Sequence, residues 1–433
     1  MTTIAVPLRT SAVILVVLGA ALAVAVLSPT RSTRQRAQRA AMAVPAYVAM
    51  RDDLDARLAW LARRAERTGL WLDLQMLGEM HLSRAQLSGR LEDYLAADAG
   101  IERAFALAPA GAGPFQARAR LSLALHRIDR VEADVAAFER CLLLKDRDLA
   151  AIADLRAQVA FARGDYSVAE AGFRRSIELD PTPGNLFNLA QVRWKSGDFT
   201  GAELLLDQAE STLAERTGHT AAWLRLQRGL IALDQGDHAV ALAEYRIADA
   251  RFPGWWLVEE HIAEARAALG ETDAAITAYR DLIARTGDPE FMDALAPLLE
   301  ATGAHDEAAQ LRARSDAAFT ERFALLPEAA AGHALGHWLE RDGAEATRLA
   351  VELAERNHAL RPNGEAGTLL ARAYLKAGRT DDARTVIERT LATIWRSTEL
   401  HATAMAVYQA AGETGQADEH RAAALAINPH ALD

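Results

Sequence analysis

Small and apolar residues recur along this chain at a spacing that predicts paired helices. A glycine returns eight times between residues 164 and 412, at intervals of 33 to 40 residues. An alanine stands five residues after it in every unit except that of Gly343, and a small residue stands seven residues before it in every unit except that of Gly412. These anchor glycines, as they are called below, are Gly164, Gly197, Gly236, Gly270, Gly303, Gly343, Gly378 and Gly412.

Each recurring position has a physical cause. The anchor glycine adopts the left-handed backbone conformation at no steric cost, so it ends the first helix of a pair. The small residues on either side of it let two antiparallel helices approach closely. One such pair cannot bury its apolar stripe alone, whereas stacked neighbours share a continuous core. The period therefore predicts an all-α chain of stacked helix pairs.

The stretch from Gly164 to Pro181 carries the pattern in full, and Gly197-Asp198-Phe199 opens it again. These residues resemble the tetratricopeptide repeat family, whose unit of paired helices is about 34 residues long. The resemblance covers residues 150–433 and implies a right-handed α-solenoid whose first helices line a concave groove. A related repeat class with longer pairs is the alternative, because two intervals reach 39 and 40 residues.

The resemblance also implies which side chains face that groove, where partners of the family bind as extended peptides or helices. Asn188 and Lys195 are similar to the carboxylate clamp of some family members. Trp255 and Trp256 are added because two adjacent indoles on one helix cannot both point into the core, and an exposed one marks a contact surface. The partner-binding set is Phe187, Asn188, Gln191, Lys195, Trp255, Trp256, Glu260, Glu264, Arg372 and Lys376.

The net charge is −11, and it is unevenly distributed along the chain. Residues 1–40 hold five arginines and no acidic residue, so the remainder carries 43 basic against 59 acidic residues. An acidic body argues against a nucleic-acid partner, because phosphate binding needs a basic face. It indicates either a preference for basic ligands or a solvated acidic surface. The single cysteine, Cys141, excludes an internal disulfide.

Residues 11–27 carry no charge, as in a membrane-spanning helix or the core of a signal peptide. Four arginines between residues 31 and 39 follow at once and oppose translocation of the chain after them. The sequence favours a single-pass anchor in the bacterial cytoplasmic (inner) membrane, with the repeats in the cytoplasm. An exported, periplasmic protein is the alternative. The bacterial source is indicated by the alanine-rich and arginine-rich composition.

Domain organisation follows from these patterns. Residues 1–10 form an N-terminal tail and 28–45 an arginine-rich linker. Residues 46–149 hold a capping helix and degenerate repeats. In the helix that opens this region, Tyr47, Met50, Leu54, Leu58 and Leu61 share one face. Residues 150–433 hold the regular repeats, with a joint near 315–330.

Catalytic and metal-binding motifs are not evident in the sequence. His333 and His337 stand four residues apart, which can place two imidazoles on one metal, but Ala334 occupies the position of the glutamate in HExxH and no third ligand is evident. No phosphate-binding glycine loop or nucleophile elbow appears. We therefore expect a protein that is not an enzyme and that carries no metal or cofactor.

The sequence predicts a membrane-tethered protein–protein interaction scaffold that binds its partner in the concave groove. One alternative is an exported adaptor in envelope biogenesis. Another is a receptor for a small molecule or short peptide, which a closed, aromatic-lined groove would favour over a broad, open one.

Overall fold

The computed structural model describes residues 45–141 and 143–432, and within these ranges the protein consists of helices, turns and loops without a β-strand. The helices are α1 (Ala46–Thr68), α2 (Trp71–Ser88), α3 (Leu91–Leu107), α4 (Phe115–Ala124), α5 (Ile128–Glu139), α6 (Asp146–Ala162), α7 (Tyr166–Leu179), α8 (Pro183–Lys195), α9 (Phe199–Ser211), α10 (His219–Asp234), α11 (His238–Arg251), α12 (Trp256–Ala268), α13 (Thr272–Thr286), α14 (Pro289–Ala301), α15 (His305–Leu325), α16 (Pro327–Leu339), α17 (Ala344–Leu360), α18 (Gly364–Lys376), α19 (Thr380–Leu391), α20 (Thr398–Ala410) and α21 (Thr414–Ile427).

The helices from α2 onward pair as the period predicts, each even-numbered helix packing against the odd-numbered helix that follows it. The prediction of an all-α chain of stacked pairs is confirmed. Between α8 and α9 the anchor Gly197 has φ +83°, a conformation that glycine adopts without strain. The next residue, Asp198, caps α9 by accepting a hydrogen bond from the Gly201 N–H at 2.9 Å. The turn thus ends one helix and starts the next.

The small residues beside the anchor glycines bring the two helices of a pair together. Gly229 of α10 lies seven residues before Gly236, and a Cβ added there would stand 2.1 Å from the ring of Tyr245 on α11. Tyr245 is fully buried and stacks on the His261 ring with centroids 5.3 Å apart. The bulky residue nine after the anchor therefore fills the gap to the next pair, as the repeat logic requires.

At the predicted joint near 315–330 the chain passes from α15 to α16 through Leu326 alone. Leu326 is buried, Pro327 is the first residue of α16, and α15 packs against α16. At the other end of the molecule, α1 packs on α2 through its buried Leu54, Leu58 and Leu61.

Segments about 200 residues apart in sequence meet along a seam between successive superhelical turns. The Gly364 N–H donates to the Tyr166 hydroxyl at 2.7 Å across 198 residues, and the second half of the described chain thus rests on the first half. Other hydrogen bonds across this seam join Tyr47 to Pro253, Trp256 to Leu87, and Arg396 to Lys195. The concave side is therefore walled by two turns of the solenoid.

The predicted membrane segment, residues 11–27, lies outside the described residues. Of the helices between Ala46 and Ile427, none combines the length and apolar character that a bilayer crossing needs.

Candidate functional site

The two turns surround a cavity of about 1170 Å³. Most of its lining comes from the first helices of the pairs, α8, α10, α12, α14, α16, α18 and α20, with contributions from α1 and from the α2–α3 turn. Ten aromatic residues line it, including five of the eight tryptophans of the chain. Ten acidic residues line it against five basic ones. The cavity is therefore both aromatic and acidic.

The part of the wall made by α10 is mostly apolar. Trp223, Leu226 and Leu230 line the cavity from this helix, and the Trp223 ring packs edge-on against Phe187 of α8 with centroids 4.5 Å apart. Gln227 is a polar residue that lies among them. Its side chain is only 5% exposed, and its Oε1 has no hydrogen-bond partner within the described residues.

The part made by α12 carries a buried triad of one imidazole and two carboxylates. The Nδ1 of His261 lies 3.1 Å from a carboxylate oxygen of Glu260 and 3.0 Å from one of Glu264. Helical spacing explains the position of Glu264, which stands four residues after Glu260 and three after His261 and so lies beside both on the helix surface. All three residues line the cavity.

Burial and mutual charge shift the proton affinities of the triad. Burial, with added repulsion from Glu264, Glu290 and Asp288, raises the pKa of Glu260 to about 8. Burial opposes the charged form of His261, but Glu260 and Glu264 outweigh it and raise its pKa to about 9. With these pKa values, His261 is an imidazolium and Glu260 keeps its proton at neutral pH.

Two more histidine–carboxylate pairs continue this wall onto the next repeats. His333 of α16 pairs with Glu290 of α14. His337 of α16 is buried, and its Nδ1 lies 2.7 Å from Asp293 of α14. His333 and His337 thus take different carboxylates.

Asp293 also ties the wall to the outer helices. Its second oxygen accepts hydrogen bonds from Arg341 at 2.9 Å and from the Ser315 hydroxyl at 2.5 Å. Asp288 caps α14 and lies 3.0 Å from the Arg322 guanidinium. These bonds hold α14, α15 and α16 in place and fix the position of the carboxylates.

The basic residues of the predicted binding set lie on other helices. Lys195 of α8 and both Arg372 and Lys376 of α18 line the cavity. Each already has a partner, because Lys195 lies 3.2 Å from Asp234, Arg372 lies 3.0 Å from Glu340, and the Lys376 ammonium donates to the Leu339 carbonyl at 3.0 Å. The cations are thus held against the wall.

Other members of the predicted set divide between the wall and the core. Phe187, Glu260 and Glu264 line the cavity, whereas Asn188 and Gln191 are buried away from it. The Asn188 amide donates to Asp154 of α6 at 2.7 Å and so serves the packing between repeats.

The adjacent indoles of Trp255 and Trp256 lie in different environments, as the sequence suggested: the first is buried and the second is half-buried at the cavity wall. Neither is exposed to solvent. Trp255 is 2% exposed and packs against His219, with ring centroids 4.5 Å apart. Trp256 is half-buried, lines the cavity, and donates its indole N–H to the Leu87 carbonyl at 3.1 Å across the seam. Its contact is therefore with an earlier turn of the same chain.

Residues that sequence reasoning passed over include His261, Glu290 and Asp293. A usable signal was present, because the wall residues fall at constant distances before each anchor glycine. Ten residues before the last seven anchors lie Phe187, Leu226, Glu260, Asp293, His333, Thr368 and Ala402, and all seven line the cavity, whereas Asp154, ten residues before the first anchor, does not.

The triad is also the one group in the described ranges whose donor set and spacing suit a metal ion, with ligand atoms within 4.8 Å of one another. The Nδ1 of His261 is already shared with both carboxylates. A metal at this position would have to displace the proton that holds the triad together.

Residues 261–285, which fall within α12 and α13, match the tetratricopeptide repeat family. The described chain is a solenoid of tetratricopeptide-like helix pairs. No curated protein sequence matches the chain.

Among solved structures, the chain is similar to yeast Tom70, with 14% identity and a TM-score of 0.39 over 84% of this chain and 93% of that one. It is similar to a chain of the APC/C hetero-tetramer Cut9-Hcn1, with 18% identity and a TM-score of 0.39 over 83% and 76%. A tetratricopeptide repeat protein from Parabacteroides merdae gives 18% identity and a TM-score of 0.34 over 57% and 93%. Such loose superpositions assign no partner.

Proposed function

We propose that this protein is a membrane-tethered scaffold that binds a segment of a partner protein inside the cavity of its solenoid. The observation that carries the proposal is the lining of that cavity, where ten aromatic residues accompany an excess of acidic ones. Aromatic anchors among fixed polar groups are typical of protein-binding surfaces. Residues 11–27 supply the tether in this proposal.

Gly336 offers a way to block the cavity without disturbing the fold. It lines the cavity on α16, and a Cβ added there meets no atom within 4 Å. We expect Gly336→Trp to fill the cavity and abolish partner binding. Gly415→Trp is the matched control, because Gly415 also has open space around it and lies exposed on α21, away from the cavity.

Amine-reactive cross-linking gives the readout. The chain has three lysines, of which Lys195 and Lys376 line the cavity while Lys145 is exposed outside it. In a Lys145→Arg background, a partner cross-linked through Lys195 or Lys376 must lie in the cavity. Loss of these cross-links in Gly336→Trp but not in Gly415→Trp supports the proposal. Equal cross-linking by both variants contradicts it.

The tether and the side of the membrane need a separate experiment. A reporter active only in the periplasm, and its cytoplasmic counterpart, are fused after Asp433. Cytoplasmic activity in the membrane fraction is the result we expect from the arginines after residue 27. Periplasmic activity would overturn the orientation, and a shortened, soluble product would overturn the tether in favour of an exported adaptor.

A receptor for a small molecule or short peptide is the second candidate, and the enclosure of the cavity by two turns favours it. Ligand sites typically enclose about 300 to 1,000 Å³, so a cavity of this size suits a bound small molecule. Native mass spectrometry of the purified protein tests this candidate. A retained ligand that Gly336→Trp loses would favour the receptor over the scaffold.

A further inference from the structure

We propose that Trp256, Glu260 and Glu264 of α12, together with Gln227 of α10 and Phe291 of α14, form a binding site for an arginine side chain. The inference rests on the proposed function, since the arginine belongs to the partner segment held in the cavity. It names the chemistry that the partner must present at this wall.

The three residues of α12 form a stripe along one face of the helix. They stand at positions i, i+4 and i+8, and all three line the cavity. The Trp256 ring lies 5.9 Å from the Phe291 ring, centroid to centroid. An aromatic pair therefore lies one helical turn from the first carboxylate. Carboxylates with an adjacent aromatic face are the groups that bind guanidinium, through charge-assisted hydrogen bonds and cation–π contact.

Gln227 supplies an observation independent of the carboxylates. Its amide is 5% exposed, lines the cavity, and leaves its Oε1 without a hydrogen-bond partner in the described part of the chain. Gln227 stands nine residues before its anchor glycine, as His261 does on the next first helix. A buried acceptor without a donor is costly, and the cost is removed when a ligand brings an N–H.

The groups nearest to Glu260 are mostly acidic. Glu264 lies beside it on α12, and Asp288 and Glu290 face it from α14. Tyr245 approaches from α11, and the single cation within the triad is His261. Asp288 and Glu290 have their own partners in Arg322 and His333. The raised pKa of Glu260 keeps it protonated at neutral pH, and a guanidinium placed beside it favours the ionised carboxylate, so an arginine can bind in exchange for that proton.

Guanidinium fits these acceptors better than ammonium does. Its donors lie in a planar fork that can bond a carboxylate and an amide oxygen together, and its flat face can stack on an indole. Lysine concentrates its charge at one point and matches fewer of these groups.

Fluorescence anisotropy with two peptide probes tests the proposal. The first probe is a short fluorescein-labelled peptide in which arginine alternates with leucine and serine. The second has citrulline, the neutral isostere of arginine, at the same positions. We expect the wild-type protein to bind the arginine probe at least about tenfold more tightly, because charge-assisted hydrogen bonds are lost with citrulline. Equal affinity for both probes would overturn the proposal without any variant.

Variants then locate the binding. The double variant Glu260→Gln/Glu264→Gln should lower the affinity for the arginine probe by about tenfold and leave the affinity for the citrulline probe unchanged. The control Glu345→Gln/Glu352→Gln removes the same charge from exposed positions on α17 and should have no effect. If both double variants weaken binding of the arginine probe equally, the loss comes from the overall charge of the protein, and the proposed arginine site is wrong.

A second substitution covers the case in which the double variant folds poorly. Gln227→Met keeps the volume and removes the unpartnered oxygen, so it should preserve the fold and weaken the arginine probe about threefold to tenfold. No change in affinity would remove Gln227 from the site. Zinc alone is a further probe, and tight zinc binding that the double variant abolishes would replace the arginine site by a metal site.

These outcomes separate the two proposals. If Gly336→Trp still abolishes cross-linking through Lys195 or Lys376 but the arginine probe binds no better than its citrulline form, the scaffold stands and the arginine site fails. If the arginine probe binds at α12 but no partner cross-links in the cavity, the site stands and the scaffold fails.

Discussion

Two parts of the cavity wall have the same helical framework and opposite chemistry. On α8 and α10 the wall is mostly apolar, and Asn188 behind it is used in packing through its bond to Asp154. On α12, α14 and α16 the equivalent positions carry carboxylates and histidines whose charges only partly cancel. Similar positions in a repeat thus build either a structural contact or a charged surface, depending on what the adjacent helices supply.

The largest expected effect concerns the close packing of α10. Gly229→Ala should lower the free energy of unfolding by about 3 kcal/mol, because the added Cβ would overlap the buried Tyr245 ring at 2.1 Å. Urea denaturation followed by circular dichroism measures it. Gly336→Ala is the matched control at the same distance before its anchor glycine. Open space surrounds it, so we expect a gain of about 0.5 to 1 kcal/mol. An equal loss of stability in both variants would contradict the close packing inferred at Gly229.

A substitution at Asn188 tests whether this polar residue of α8 stabilises the packing between repeats. Asn188→Ala should cost about 2 kcal/mol of stability, because it removes a hydrogen bond to Asp154, a buried carboxyl whose pKa is raised by burial to about 6. Denaturation supplies this value, and Gln208→Ala, at an exposed position, is the control. Binding of the arginine probe should be unchanged. A stable variant with weakened probe binding would instead place Asn188 in the binding wall.

The last prediction is a dependence of stability on pH that comes from α12. Glu260 and His261 have pKa values raised to about 8 and about 9, so the folded protein holds protons that the unfolded chain releases. The contribution of His261 is complete below about pH 6.5 and is lost as the pH rises through 9. The growing cost of ionising Glu260 acts in the same direction. We therefore expect stability to fall as the pH rises from 6.5 to 9.

Thermal unfolding at a series of pH values measures this decrease. Glu260→Gln/His261→Gln/Glu264→Gln removes the titrating groups and should flatten the curve over that range. Asp154, behind α8, titrates in a separate window, because its contribution to stability is lost as the pH rises from about 3.8 to 6. Stability that rises between pH 6.5 and 9 would contradict the charged triad.

Sequence by itself determined the helix pairs, because glycine at the turn and small residues beside it are local requirements that every unit repeats. It also placed Glu260, Glu264, Arg372 and Lys376 on first helices, and they line the cavity. What the tertiary structure decided is where a polar side chain finds its partner. Asn188 meets Asp154 and His337 meets Asp293 because of how helices stack, and the amide of Gln227 is left with a free acceptor.

The closure of the groove is likewise tertiary. Trp256 bonds to Leu87 across 169 residues, and Gly364 bonds to Tyr166 across 198 residues. No local sequence pattern predicts such contacts. Local spacing fixes the shape of one repeat, whereas small rotations between repeats add up along the chain and decide whether successive turns meet.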